Sequence, residues 1–552
     1  MKKFLSTLIS ILVLAAALFT VIHFIWSDLY IAEFDADNAE VVIWGRVTLE
    51  TGLLVDPDFR EYMTLIPVGG NLFFVPFVKA FGVGITALRA GYTALAVIFA
   101  TLLVLALRAL LPSWDLSLIG SGLIMLCTTA TATLRSVYWA HSLYYSISSF
   151  CILMCIGALG LYLRGKRVLG GILFFLAALF GSINGNAVLL YSTLPLAAAL
   201  FLEPLIREHS GEGFMKGPLL LICAAIVCGV VLNKVICSGI QSNYTDKHMQ
   251  LSAAVQWIEN LRLLPERWLE IFLELPKEST PVMSSVGIKL VLRLGTALVL
   301  SVLPVFSFFV LRDTESRLTR VVIWYHWILC AVLLFFFVFG VISDSNRRLM
   351  PLWFSCLIVD WLTMMWMLKE HTYIHTYIQF IGAVSVCLTV LFAGMTAVSV
   401  TRQPADLSVW YGNDSIYHVL ETNGLTHGYS TDYWYTNSIT VLSESRINVL
   451  GVSVTDDGFE IPDFQNKVSW YKEPTKDETT FLICRETDVY WTPWFDEYVA
   501  KNATEVLHAT QYTPFYGAAD YYFILVFDQD VIAEKLFENE PVGNTDVQIS
   551  EN

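Results

Sequence analysis

Apolar runs long enough to cross a bilayer fill most of the first 400 residues. A spanning helix takes about 20 apolar residues. Such runs recur at 4–26, 86–111, 116–136, 145–163, 168–183, 186–206, 217–240, 284–311, 321–342, 351–368 and 378–400. The pattern predicts about eleven transmembrane helices. The runs 168–183 and 186–206 are parted only by the polar break Ser182-Ile183-Asn184-Gly185-Asn186. Longer polar intervals stand at 27–85 and 241–283, and the second contains an amphipathic stretch, Trp257–Leu275, suited to lying along a membrane surface.

After residue 400 the long runs stop and shorter periods take over. Ile447–Val454, Thr480–Cys484 and Tyr521–Phe527 are rich in β-branched and aromatic residues and predict strands. Asn413–Glu421 and Glu497–His508 carry helical spacing. The expected organisation is therefore a polytopic α-helical membrane unit, residues 1–400, with outer loops at 27–85 and 241–283. A soluble α/β domain follows at 401–552.

Composition supports this division. Hydrophobic residues make up 55% of the chain and charged residues 15%, against roughly 25% charged in soluble proteins. So few charges cannot cover a water-facing surface, and most of the surface must meet lipid. The net charge of −15 argues against nucleic acid as a partner, because that binding needs a basic footprint. The cysteines lie mostly inside apolar runs and none forms a CxxC pair, so they read as small buried hydrophobes rather than a zinc or disulfide framework. Cys237 and Cys484 are the two expected outside the bilayer.

The short loops give an orientation. Lys2 and Lys3 precede the first run, Arg164-Gly165-Lys166-Arg167 follows the fourth, and Arg312, Arg317 and Arg320 follow the eighth. With eleven spans all three groups fall on one side, so the positive-inside rule places the N-terminus in the cytoplasm. No small-residue cleavage site follows the first run at Ile25-Trp26-Ser27, so it reads as a retained helix rather than a signal peptide. The same count places the tail outside the cell membrane. Arg347-Arg348 is the basic pair that falls on the outer side, where basic residues are disfavoured.

Candidate chemistry concentrates in the first outer loop. Glu33, Asp35, Asp37 and Glu40 crowd together just beyond the first run. Carboxylates this close repel one another, so they invite a metal ion, a cationic partner or a raised pKa. If 36–50 is helical, Asp37, Glu40 and Trp44 share one face, an acidic pair beside an aromatic platform. The competing structural reading has Asp35 or Asp37 capping that helix and the rest solvated.

The motif Glu33-Phe34-Asp35-Ala36-Asp37, directly after the first span and followed by Thr51-Gly52 and the Pro- and Gly-rich stretch 64–77, resembles the GT-C glycosyltransferases. The resemblance implies a GT-C-like fold and an inverting enzyme that takes a sugar from a polyisoprenyl-phosphate carrier. The acceptor would be a cell-envelope glycan, lipid or protein. It implies a catalytic base that deprotonates the acceptor hydroxyl, best matched by Asp37, then Asp35, with Glu40 in the same cluster. It also implies, in some branches, a divalent metal, Mg or Mn, for which Asp35 and Asp37 are the candidate ligands. A second stretch, Ser343-Asp344-Ser345-Asn346-Arg347-Arg348-Leu349-Met350-Pro351, resembles the Arg-Tyr-x-x-Pro opening of a late helix in aminoarabinose and protein mannosyltransferase relatives. There an arginine meets the lipid phosphate. Here Arg348 stands where the aromatic residue is expected. A guanidinium at the interface can grip phosphate bidentately while an apolar tail stays in the bilayer; headgroup snorkelling is the plainer alternative.

Other features are weaker. His141, in Tyr138-Trp139-Ala140-His141, is a candidate donor to a sugar or a member of an aromatic belt. Lys247-His248 lies in the second outer loop. Asn243-Tyr244-Thr245 and Asn502-Ala503-Thr504 match the glycosylation sequon. The aromatic string Tyr429–Tyr435 suits stacking on sugar rings or, more ordinarily, strand and core. No WWDYG-type motif is present. A transporter or flippase of lipid-linked saccharide is the alternative function; it would favour repeated halves and mid-bilayer charges, and Asp360 is the main such charge.

Overall fold

The computed structural model describes residues 2–538 apart from 61–65, 142–144, 207–214, 239–249, 277–278, 370–374, 457, 464, 472–477, 486–493 and 513–518. Lys247-His248 and the sequon at Asn243 lie outside the described residues.

Among the described residues, eight helices are long and apolar enough to cross a membrane: Lys3–Trp26, Ile85–Leu110, Gly185–Leu205, Lys216–Ile236, Ser285–Asp313, Arg317–Phe339, Asn346–Met367 and Thr376–Arg402. Two further apolar helices, Ile147–Leu163 and Arg167–Ile183, have 17 residues each. At 1.5 Å per residue that is about 26 Å, the short end of what a bilayer core needs. The chain is thus a polytopic α-helical membrane protein with a sheet-containing C-terminal region.

The run 116–136, expected as one straight span, is broken. Trp114–Cys127 stops and Ala132–Trp139 leaves it at 115°. The break is Thr128-Thr129-Ala130-Thr131, whose hydroxyls compete with the helical backbone. Thr128 and Thr129 donate back to the carbonyls of Met125 and Leu126, at 2.6 and 2.8 Å. Thr131 accepts from the Leu134 amide and so caps the second piece. The bend carries Arg135 and His141 sideways under the first loop.

Inside a bilayer, helices associate by packing rather than by escaping water, and small residues let them approach. At Gly122 a Cβ would fall 3.0 Å from the backbone of Val13, so glycine is what lets Trp114–Cys127 lie against the first helix. The helix Met350–Met367 is buried along nearly its whole length and forms the centre of the bundle. Two ends can be told apart. Ser6 and Thr7 donate to Asp115 at one end. Arg108 and Arg164 lie at that end, as does the helix start at Arg317, since Gly160 touches both Ala109 and Leu318. The acidic first loop, Arg347-Arg348 and the C-terminal domain lie at the other.

The first loop contributes β1 (Phe59–Arg60) and the tail β2 (His427–Ser430), β3 (Asn448–Gly451), β4 (Ser453–Val454), β5 (Phe459–Glu460), β6 (Asn466–Lys467), β7 (Thr480–Arg485), β8 (Glu505–Tyr512) and β9 (Ala519–Phe527). The main sheet runs β3-β2-β7-β9-β8. β2 is parallel to both β3 and β7, while β9 is antiparallel to β7 and β8. The predicted strands at 447–454, 480–484 and 521–527 and the helix near 416–421 are present. The expected helix Glu497–His508 is corrected: Phe495–Ala500 is a short π turn, and Glu505 onward is strand β8. Pairing with the full length of β9 outweighs the helical spacing there. All ten cysteines are free.

The tail sits on the first loop. β1 pairs antiparallel with β6. Lys467 reaches Asp56 at 3.1 Å and Glu50 at 3.8 Å. The helix Thr436–Leu442 packs on Ala36–Thr51, and the Glu444 carboxylate accepts from Thr86.

Candidate active site

The helix Ala36–Thr51 organises the site. Asp35, in an extended conformation, accepts from the Asn38 amide at 2.9 Å and serves as its N-cap. Gly52, at φ +72°, ends it in the left-handed conformation that glycine adopts without strain. The capping reading of Asp35 is therefore what its geometry shows, and it leaves Asp37 and Glu40 on the face turned to the bundle.

Three of the four carboxylates each meet a different basic side chain, and Asp35 keeps to its cap. Glu33 takes two guanidinium nitrogens of Arg135, one at 2.9 Å from Nε. Arg135 is itself 2% exposed. An arginine buried in an apolar run must find such a partner. Glu40 lies 3.1 Å from His141 Nε2. Asp37 Oδ2 lies 3.5 Å from Arg347 Nη1, and its Oδ1 accepts from the Tyr433 hydroxyl at 3.3 Å. The side chains of Asp37 and Glu33 are 22% and 19% exposed, that of Glu40 11%.

Two pKa shifts follow. Asp35 is pushed up from 3.8 to about 6, by burial first and by the Asp37 charge second; Arg347, His141 and the Asn38 amide pull the other way. At His141, burial works against the charged form. The hydrogen bond to Glu40 and the charges of Asp37 and Glu40 outweigh burial and raise its pKa above the ordinary histidine value.

The arginine pair sits in the short 3-10 turn Asn346–Leu349, which Ser345 caps and Pro351 leads into the central helix. Asn346 donates to Glu270 at 3.2 Å, and Ser343 to Asn260 at 2.7 Å. Both partners belong to Trp257–Phe272, the predicted amphipathic helix, which thus roofs the turn. Arg348 is buried and reaches Asp344 through Nη2 at 3.5 Å. Its Nε and Nη1 are buried and meet no hydrogen-bond partner among the described residues. Burying such donors unpaired is costly.

Of the residues singled out by sequence, Asp35, Asp37, Glu40, His141, Arg347 and Arg348 are therefore brought together. Trp44 lies elsewhere: it is 6% exposed and tilts against Phe59, with ring centroids 6.2 Å apart, inside the seam between first loop and tail. The aromatic beside Asp37 is Tyr433. Arg135 was not singled out from the sequence, and Tyr433 was read there only within the aromatic string Tyr429–Tyr435, for stacking on sugar rings or for strand and core. Arg135 carried a signal, a charge inside an apolar run; the aromatic string around Tyr433 gave no pointer to Asp37, far away in the chain.

The donor set does not make a metal cradle. Asp35 spends an oxygen on its cap, and Arg347 and Tyr433 already occupy both oxygens of Asp37. Among the described residues no three His, Cys, Asp or Glu side chains converge. A hard cation wants several oxygen ligands at once.

Fold and site together define a class: a polytopic helical membrane protein with a carboxylate–arginine centre capped by its own C-terminal domain. No protein-family model and no curated protein matches the chain. Among solved structures, it is similar to ArnT from Cupriavidus metallidurans bound to undecaprenyl phosphate, at 12% identity and TM-score 0.48, over 93% of this chain and 97% of that one. It is also similar to ArnT from the same organism in the apo state, at 12% identity and TM-score 0.46, over 90% and 94%.

Proposed function

We propose that this chain is a GT-C-type glycosyltransferase that moves a sugar from a polyisoprenyl-phosphate carrier to a hydroxyl of a cell-envelope glycan, lipid or protein. The observation that carries the reading is the placement of Asp37 against Arg347, with Arg348 beside it, at one end of an apolar bundle. A phosphate-linked lipid sugar needs these parts: cations for the phosphate, a base for the acceptor and a lipid-facing wall. We infer the orientation from the basic loops, with the N-terminus cytoplasmic and the site and residues 401–552 extracytoplasmic.

In this mechanism the acceptor hydroxyl gives its proton to Asp37 and attacks the anomeric carbon in line. The bond from that carbon to the phosphate oxygen breaks, and the lipid phosphate leaves with the electron pair. The configuration inverts. Arg347 and Arg348 stabilise the departing phosphate in place of a metal. Arg347 passes from Asp37 to the phosphate as the donor enters, which frees the carboxylate to act as base. Glu40 holds the buried imidazole of His141 beside the site. Asp35 fixes the helix that presents Asp37.

The test is a cell-envelope glycan profile with the gene intact, deleted, and replaced by the D37N variant. Loss of one sugar decoration in both altered strains, at normal protein level, is expected. A full profile in the D37N strain overturns the assignment of the base. Lipid-linked sugar trapped on the cytoplasmic face would instead mark a flippase. Undecaprenyl phosphate, the ligand of the ArnT crystal structure, is the first carrier to test for binding.

A further inference from the structure

A cavity of about 680 Å³ lies between Ile85–Leu110, Ile147–Leu163 and Arg167–Ile183, with Gly69 and Phe73 of the first loop lining its near end. Its wall follows the middle helix from Ile147 to Arg164, which at 1.5 Å per residue is about 26 Å, close to the thickness of a bilayer core. Nearly all of that wall is carbon. The exception is the end far from the acidic loop, where Arg108 and Arg164 line it beside Trp114.

That end is built. Arg164 Nη2 donates to the Arg108 carbonyl at 2.6 Å and the Ala109 carbonyl at 3.3 Å. Arg108 Nη1 donates to the Leu111 carbonyl at 2.8 Å, and its guanidinium lies 5.4 Å from the centre of the Trp114 ring. Arg108 Nε is buried and meets no hydrogen-bond partner among the described residues. Lys166 and Arg167 follow on the exposed turn, and among the described residues no carboxylate lines the cavity.

Halfway along stands Gly157. Glycines in membrane helices commonly mark where another helix comes close, and several here do. A Cβ on Gly157, however, would meet nothing within 4 Å. The glycine widens a space that no described residue fills.

We propose that this groove is a binding site for an anionic phospholipid, with its phosphate on Arg108 and Arg164 and an acyl chain running past Gly157. Charge chooses the occupant. A polyisoprenyl phosphate held at Arg347 and Arg348 would bring only its apolar end to this mouth, where two guanidiniums would gain nothing from it. A phosphocholine carries its own cation, which offsets the phosphate. A headgroup with net negative charge satisfies the guanidiniums without that offset. The site lies at the opposite end of the bundle from the proposed reaction, so it stands whatever sugar is transferred, or none.

Full-length protein in nanodiscs of mixed POPC and POPG, released and weighed by native mass spectrometry, tests this. The wild type is expected to retain POPG over POPC by about tenfold, the yield of one good charge-assisted contact. The R108Q/R164Q double variant should lose the preference. The G157L variant puts a side chain into open space and replaces glycine within a helix, so it should fold as well as the wild type and retain neither lipid. Equal retention of POPC and POPG by the wild type would overturn the proposal, as would unchanged POPG retention in G157L. Displacement of POPG by equimolar undecaprenyl phosphate would give the groove to the isoprenoid instead.

Discussion

Arg347 Nη1 lies 3.5 Å from Asp37 Oδ2, a pair whose side chains are 19% and 22% exposed. The pair joins the first loop to the turn before the central helix, and neither charge is sealed from an incoming ligand. If Arg347 must leave Asp37 to meet phosphate, the two side chains act as one unit. D37N should then lower transfer by about 10³-fold, within the usual range for losing a general base, and R347Q by about tenfold or more through the phosphate. The double variant should be little worse than D37N alone, because effects within one unit do not add. Rates of the four proteins with one donor–acceptor pair check this; strictly multiplicative losses would separate the two residues.

Arg348 is a different case, because its cost is paid in the resting protein. Two of its nitrogens are buried without partners, and an unsatisfied buried donor costs about 1–3 kcal/mol. R348M should therefore leave the melting temperature unchanged or raise it, while weakening binding of a polyisoprenyl phosphate by about tenfold or more. A variant that loses both stability and binding would make Arg348 a structural residue.

With the arginines supplying the positive charge and no three metal-ligating side chains converging among the described residues, transfer should persist in EDTA. Abolished activity restored by Mg²⁺ or Mn²⁺ would return Asp35 and Asp37 to the role of ligands.

Asp35 ties stability to pH. Its carboxyl titrates at about 6 in the folded protein against an ordinary 3.8. The folded state thus binds this proton more tightly than the unfolded chain. Stability falls as pH rises between those values, and above them the full penalty, about 3 kcal/mol, is in force. Asparagine caps a helix as well as aspartate does, so D35N should keep the cap and remove the charge. Thermal unfolding in detergent is expected to show a higher midpoint for D35N at pH 7 and a flatter dependence between pH 4 and 6. A lower midpoint at pH 7 would mean that the Asp35 charge is itself held by Arg347.

Much of this fold could be read in the chain because a bilayer leaves few choices. Backbone groups in lipid must pair within their own segment, so each apolar run has to be a helix. The run 116–136 broke the pattern for a local reason, threonines that bond back to the helix, and a hydropathy count does not weigh hydroxyls. Asp35, Asp37, Glu40 and Arg347-Arg348 stood out because charge beside lipid is expensive and needs a reason. Their pairing was not legible: it joins residues far apart in the chain, and nothing near Asp37 names Arg347. The tail was hardest to read, since strand β8 takes its conformation from β9 and not from its own spacing.

Tyr433 is where the tail enters the chemistry. Its hydroxyl donates to Asp37 Oδ1 at 3.3 Å. It stands in a short turn after β2, and Asp432, just before it, is held by Arg485 at 2.5 Å and by the Tyr522 hydroxyl at 2.8 Å. The sheet thus aims the turn, and the turn aims the phenol. A hydrogen bond of this length to a carboxylate is worth about 1 kcal/mol, near the low end for charged partners. Y433F should then lower kcat by about fivefold with the donor KM unchanged, since the phosphate is held by other residues. R485Q leaves the phenol in place but loosens its support, so it should give a smaller loss in the same direction. Combined with Y433F it should add nothing further, because the phenol is its route to Asp37. A loss on R485Q that persists in the Y433F background would show that the tail reaches the reaction by another contact.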